Sequence, residues 1–220
     1  INLVQASSEP TVTEECAKAG IPVVYINREP EAEREQAWVD EGIKATYVGA
    51  DARQSGTFQG EEIAELENKG DADGDGVVRY IMVQGDPENV DAQYRTEFSI
   101  KALTDAGIEV EELVKMRGDW DQTKGQEITA NALAQHGAKI DVVFCNNDAM
   151  ALGALQAIEA AGRTVNKDIY LVGVDALVEA VENVMNGTVF NDYLGQAHTA
   201  ADRAMDFVNG KDVKNVYMVD

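Results

Sequence analysis

The sequence predicts an α/β protein built on parallel sheets, and three observations carry the prediction. Short runs rich in Val, Ile, Tyr and Phe alternate with longer stretches of helical periodicity, the pattern of repeated strand and helix units. Two of the runs, 141–145 and 170–174, are apolar almost throughout and read as strands buried on both faces. Each passes straight into a polar turn that opens a helical run: Asn146-Asn147-Asp148-Ala149-Met150 in the first case and Asp175-Ala176-Leu177 in the second.

Taken in order, the chain opens on an apolar, strand-like run, Ile1-Asn2-Leu3-Val4, as though it began in mid-fold with no positively charged signal segment ahead of it. Residues 21–26 read as a strand despite Pro22 near its start, and 80–83 and 188–190 read similarly. Leu177, Val181, Val184 and Met185 recur at helical spacing, and Asn186-Gly187 supplies a left-handed stop. That helix is expected to lay one face on the sheet. A length of 220 residues allows one large domain or two small ones, and no Pro/Gly/Ser-rich linker divides the chain. If two lobes exist, the chain crosses between them through single strands, with 48–51 and 191–193 as candidates.

Composition narrows the function. The chain is 45% hydrophobic, and no apolar run approaches the roughly 18 residues of a membrane span, as expected of a soluble globular protein. With 18 Lys+Arg against 40 Asp+Glu the net charge is −22, which repels nucleic acid and anionic lipid. Cys16 and Cys145 lie in apolar segments and read as free structural thiols.

In doubly wound sheets the ligand crevice lies at the carboxyl edge of the strands. Asn147 and Asp175 are therefore expected side by side over one site. Short, planar and polar, they suit hydrogen-bonding hydroxyls more than breaking bonds, so recognition of a small polyol is the first reading. Asp91 and Arg95 lie four apart near a predicted helix start, beside Asn89. They read either as an exposed ion pair or as a clamp on vicinal hydroxyls. Trp120, in the polar segment Gly118-Asp119-Trp120-Asp121-Gln122, reads either as a loop lid or as a flat face for a pyranose ring.

Asp71-Ala72-Asp73-Gly74-Asp75-Gly76 places oxygens at positions 1, 3 and 5 and Gly at 6, as a calcium loop requires, with the Val77 carbonyl at position 7. Position 12 is Met82 rather than Glu, and the loop runs into a strand, so it is not an EF-hand. Position 9 is Arg79, which cannot ligate and would repel a divalent ion. Calcium and a metal-free acidic turn held by Arg79 are both open readings. Catalytic constellations are scarce: neither His136 nor His198 has a nucleophile setting, and there is no P-loop or G-x-G-x-x-G after a strand. The acidic run 29–35 reads as a solvated helix face. Asp91 and Asp175 could converge as paired carboxylates, but their Asn-rich company argues for binding over acid catalysis, so no enzyme is expected.

Ile26-Asn27-Arg28-Glu29-Pro30, the Asp71 loop, Asp91 with Arg95, Trp120-Asp121, Asn146 to Met150, Gly173 to Leu177 and Thr188-Val189-Phe190-Asn191-Asp192 fall in an order that resembles the periplasmic galactose/glucose-binding protein family. That family comprises sugar receptors of type I periplasmic-binding-protein fold, with two doubly wound lobes joined by hinge strands. They serve ABC importers and, in some bacteria, chemoreceptors. The resemblance covers essentially the whole chain. It implies that Asn27, Asp91, Arg95, Asn147, Asp175 and Asn191 hydrogen-bond a monosaccharide, D-galactose or D-glucose, while Trp120 stacks on it. Asn89 stands where the best-known members carry His, and would exchange an imidazole contact for an amide. Asp71, Asp73, Asp75 and the Val77 carbonyl match calcium ligands, with Asp141 in place of a distant bidentate Glu and Arg79 in place of a Gln.

The resemblance also implies that residues 1–47 with 192–220 form the first lobe and 48–191 the second. The family's two opening strand-helix units, with a second stacking aromatic and an acidic ligand, have no counterpart here, so the first lobe is expected to be incomplete. Closure of the lobes on sugar would give the form a permease recognises. The expected protein is monomeric and extracytoplasmic, either periplasmic or a Gram-positive surface lipoprotein, and does not bind nucleic acid. The alternative is the ligand-binding domain of a sugar-responsive repressor, which shares the fold but needs a helix-turn-helix and tolerates this acidity poorly near DNA. A sugar-processing enzyme is a more remote alternative.

Overall fold

The computed structural model describes residues 1–182 and 186–219. In chain order the first elements are α1 (Glu9–Lys18), β1 (Val23–Ile26), α2 (Ala32–Asp40) and β2 (Ala45–Gly49). There follow α3 (Ala52–Ala64), β3 (Val78–Gln84), α4 (Val90–Asp105), β4 (Val110–Arg117), α5 (Gln122–His136), β5 (Val142–Cys145) and α6 (Asp148–Ala160). The last are β6 (Tyr170–Val174), α7 (Val178–Glu182), β7 (Gly187–Val189), α8 (Tyr193–Val208) and β8 (Val216–Met218). The chain divides into two compact units. One comprises Ile1–Asp51, Glu88–Asp91 and Asp192–Asp220, the other Ala52–Pro87 and Ala92–Asn191.

The second unit holds a five-stranded sheet in the order β4-β3-β5-β6-β7, with every pairing parallel. Alternate side chains point to opposite faces of a strand, and the core shows it residue by residue. Ile81, Val83, Val143, Cys145 and Leu171 pack with Met150, Leu152, Leu155 and Ile158 of α6. Tyr80, Met82, Val142, Phe144 and Val172 pack with Ile63 of α3 and Leu103 of α4. Both faces are covered, so every residue of β5 and of β6 is buried. Only β4, an edge strand, carries exposed charges.

The first unit holds a three-stranded sheet, β1-β2-β8, also all parallel. Its core gathers Val23, Tyr25, Trp38, Ala45 and Tyr47. Beneath them Glu9 of α1 is wholly buried and accepts from Thr13 (2.5 Å), Trp38 Nε1 (2.7 Å) and Arg34 Nε (2.7 Å). A buried carboxylate with this many donors is a satisfied one.

Three expectations are corrected. The opening run is not a strand, although the Ile1 amino group donates to the Val24 carbonyl (2.7 Å) and Ile26 N–H to the Ile1 carbonyl (2.9 Å). Helix α7 leaves Val181, and Leu177 just before it, exposed, because it is Ala180 that turns into the core cluster; Val184 and Met185 lie outside the described residues. Residues 29–35 are not a solvated face throughout, since Glu29 and Glu35 are 4% and 7% exposed.

Candidate ligand-binding site

All five strands of the second unit run the same way, so their carboxyl ends deliver five loops to one edge. Asn147 follows β5 and caps α6: its backbone is extended (φ −149°, ψ 167°) and its Oδ1 accepts from Met150 N–H at 3.0 Å. Its Nδ2 donates to the Trp120 carbonyl at 3.4 Å. Asp175 follows β6 with a φ of 118°, and its Oδ1 accepts from Asn191 Nδ2 at 3.2 Å. Burial raises its carboxyl above the usual range, opposed by Arg95 and by the Asn191 bond. A residue with a Cβ is held at such a φ only where its surroundings impose it.

Arg95 reaches this edge from α4. It is 7% exposed, and one guanidinium nitrogen donates to the Asn146 carbonyl at 2.8 Å. Its Nε is buried without an acceptor among the described residues. Its guanidinium carbon lies 5.9 Å from the Trp120 ring centroid. Trp120 is part of a left-handed pair, Asp119 at φ 51° and Trp120 at φ 66°, with Arg117 and Lys124 both held on the Asp119 carboxylate. The indole lies on the backbone of Gly85, where a Cβ would come within 2.4 Å of the ring, so glycine is required there. Trp120 Nε1 is a second buried donor with no acceptor among the described residues.

Arg95, Trp120, Asn147, Asp175 and Asn191 are thus brought together within the second unit. In the first unit, Asn27 ends β1 at φ 68°, its carbonyl accepting from the Tyr47 hydroxyl at 2.9 Å. Asn89 Oδ1 accepts from Asp91 N–H at 2.9 Å, and Asp91 accepts from Glu29 N–H at 3.3 Å. The reading of Asp91 and Arg95 as an exposed ion pair is overturned, since Asp91 is 5% exposed and Arg95 also buried.

Two residues of the edge were not singled out by sequence. Asn146 is fully buried; its Oδ1 accepts from Gly85 N–H at 2.9 Å, and its carbonyl holds Arg95. Asp148, also fully buried, accepts from Leu177 N–H at 2.8 Å and the Thr188 hydroxyl at 2.7 Å. The available signal was a run of three polar residues directly after a wholly apolar strand, but their partners lie far off in sequence.

At the 71–76 loop, Asp71, Asp73 and Asp141 each offer an oxygen within 4.8 Å of the others. Asp71 accepts from Gly74 and Gly76 N–H (2.7 and 2.9 Å), and Asp141 from Ala72 and Arg79 N–H (3.0 and 2.8 Å). Burial raises the Asp141 carboxyl, and Asp73 and Asp71 add to the rise. These three carboxylates suit a divalent cation. Asp75 does not join them: Arg79 bonds it at 2.6 Å and Glu111 at 2.9 Å, and the bond to Arg79 holds the Asp75 carboxyl below the usual range.

A doubly wound α/β unit whose carboxyl edge gathers Asn, Asp, Arg and Trp has the architecture of the type I periplasmic-binding-protein class. The chain belongs to the periplasmic binding protein domain family, whose sequence profile matches residues 1–212. It is 34% identical over 219 residues to the D-galactose/methyl-galactoside binding periplasmic protein of Haemophilus influenzae, covering 96% of this chain and 64% of that protein. It is 29% identical over 218 residues to the ribose import binding protein of Bacillus subtilis, with 97% and 64% covered. The chain therefore spans about 64% of the length of these curated relatives. An ABC transporter solute binding protein from Bacillus halodurans with bound myo-inositol superposes with a TM-score of 0.83 at 30% identity, over 99% of this chain and 70% of that one. A D-allose-bound counterpart from Actinobacillus succinogenes gives 0.84 at 23% identity, over 100% and 74%, which speaks for the fold. Each of these is named for binding a solute. Among the described residues, no helix is long and apolar enough to cross a membrane.

Proposed function

We propose that this chain is the extracytoplasmic solute-binding component of an ABC importer and that its ligand is a monosaccharide, D-galactose or D-glucose. The observation that carries this reading is that two buried donors without acceptors among the described residues, Arg95 Nε and Trp120 Nε1, stand together at this edge. Orphaned donors are costly in a fold. Here one is the indole's own N–H and the other belongs to the guanidinium beside that ring, and with the Asn147 and Asp175 side chains they form a set that matches a sugar's ring oxygen, hydroxyls and apolar C–H face. The galactose-binding relative at 34% identity favours galactose among the sugars that its other relatives bind.

On this reading Asn27, Asn89 and Asp91 complete the ligand set, residues 1–47 with 192–220 and 48–191 are the family's two lobes, and a ligand-dependent closure is what the permease, and in chemotactic bacteria a receptor, recognises. Calcium belongs to the same proposal, with Asp71, Asp73, Asp141 and the Val77 carbonyl as ligands and Asp75 joining only on release from Arg79. Titration calorimetry with both sugars, on the chain extended to the full length of its curated relatives, tests the function. Saturable one-to-one binding, weakened roughly tenfold or more in Asp175→Ala, is expected, since buried partners lose their hydrogen bonds. A chain that binds no monosaccharide, or a variant of unchanged affinity, would refute it.

A further inference from the structure

The turn that presents Asp175 is strained, and it is held from behind. Asp175 and Ala176 have φ values of 118° and 50°, where residues with a Cβ are disfavoured. Asp175 N–H is tied to the sheet through the Val189 carbonyl at 2.9 Å. The next two N–H groups go to side chains instead. Ala176 N–H donates to Thr188 Oγ1 at 3.0 Å, and Leu177 N–H to Asp148 Oδ2 at 2.8 Å. The Thr188 hydroxyl donates in turn to Asp148 Oδ1 at 2.7 Å. One carboxylate therefore fixes both peptide units that follow Asp175, directly at Leu177 and through Thr188 at Ala176.

Helix α6 does not require this arrangement. Asn147 already supplies its cap, and an acidic residue in a first turn favours the helix dipole while exposed as well as buried. Burying a carboxylate is costly, and Asp148 carries that cost with unfavourable company. Among the described residues its charged and titratable neighbours are Glu62 of α3, Asp175 after β6, the Cys145 thiol of β5 and, with opposite charge, Arg95 of α4. Burial pushes its carboxyl up to about 6. Such an expense is explained if the turn it holds is the functional one.

We infer that Asp148, acting through Thr188, is a positioning residue for ligand recognition, holding Asp175 in its presenting conformation while both of its own oxygens stay committed to Thr188 and Leu177. The inference rests on the sugar-binding reading above, and the test separates the two. Thr188→Val removes the hydroxyl at nearly constant shape, and Thr188→Ser restores it. Amide hydrogen exchange at Ala176 and Leu177 is measured without ligand, and the dissociation constant for D-galactose is measured by calorimetry on protein shown by denaturation to be fully folded. The valine variant is expected to lose protection at Ala176 and bind about tenfold more weakly, with serine recovering both. Wild-type affinity in the valine variant overturns the inference, as does a serine variant that fails like valine. If the wild type binds no monosaccharide, the sugar reading falls and the exchange data alone judge the clamp: protection lost with valine and kept with serine supports it, and protection unchanged with valine overturns it.

Discussion

Glu62 sits on α3 with one oxygen buried and unpaired among the described residues, against the backbone of Gly187, where a Cβ would lie 2.1 Å from it. Burial, then Asp148, then Glu65 raise its carboxyl from 4.5 to about 7. Between those values the folded chain keeps a proton that the unfolded chain has released. The stability linked to this group is therefore fully present below 4.5 and lost as pH rises through about 7. Glu62→Gln is expected to melt above the wild type at pH 8, an advantage that closes as pH falls toward 4.5; a constant offset across that range would contradict it. At this scale, sequence exposed what depends on residue type and place. Asn27, Asn147, Asp175 and Asn191 each follow a strand run, and Trp120 stands out in a polar segment. Sequence did not show that Asn89 and Asn147 also cap backbone N–H groups, or that Asp148 is buried. The Asp148 clamp closes through Thr188, 40 residues away, and no local pattern encodes such a partner.

Helices and strands were legible where both faces of the sheet are covered, because full burial makes β5 and β6 uniformly apolar. The edge strand β4 was not, since its exposed charges break that pattern. The described part of α7 misled for the opposite reason: apolar residues at helical spacing point into solvent there. Packing of α5 on α6 was also hidden, although it sets the edge. A Cβ at Gly125 would lie 2.3 Å from the Met150 carbonyl, and one at Gly153 1.9 Å from the Gln122 carbonyl. The two helices meet backbone to backbone, which fixes Trp120 just before α5 against Asn147 at the start of α6. The 71–76 loop combines both open readings of the sequence, since Arg79 holds Asp75 while Asp71, Asp73 and Asp141 cluster. Arg79→Gln is expected to tighten calcium about tenfold, read by calorimetry, because it removes a cation and frees a carboxylate. Unchanged affinity would show that Arg79 does not govern the loop.

For the whole molecule, the parallel pairings follow the alternation of strands and helices that the sequence displays, the family was legible in the order of its motifs, and the strand orders were not read. The net charge of −22 opposes the approach of phosphate backbones, and in the proposed function the carboxyl-edge loops supply the recognition chemistry. The two tryptophans serve as probe and control in one spectrum. Trp38 Nε1 is satisfied by Glu9 at 2.7 Å in the first unit, whereas Trp120 Nε1 in the second is a buried donor without an acceptor among the described residues. A nitrogen–proton correlation spectrum recorded while D-galactose is titrated into the millimolar range therefore shows whether the orphaned donors take up a sugar. The Trp120 indole and Arg95 Nε signals are expected to shift saturably together while the Trp38 indole stays in place. Trp120 and Arg95 signals that remain still at every concentration, for galactose and for glucose, would contradict the proposed function.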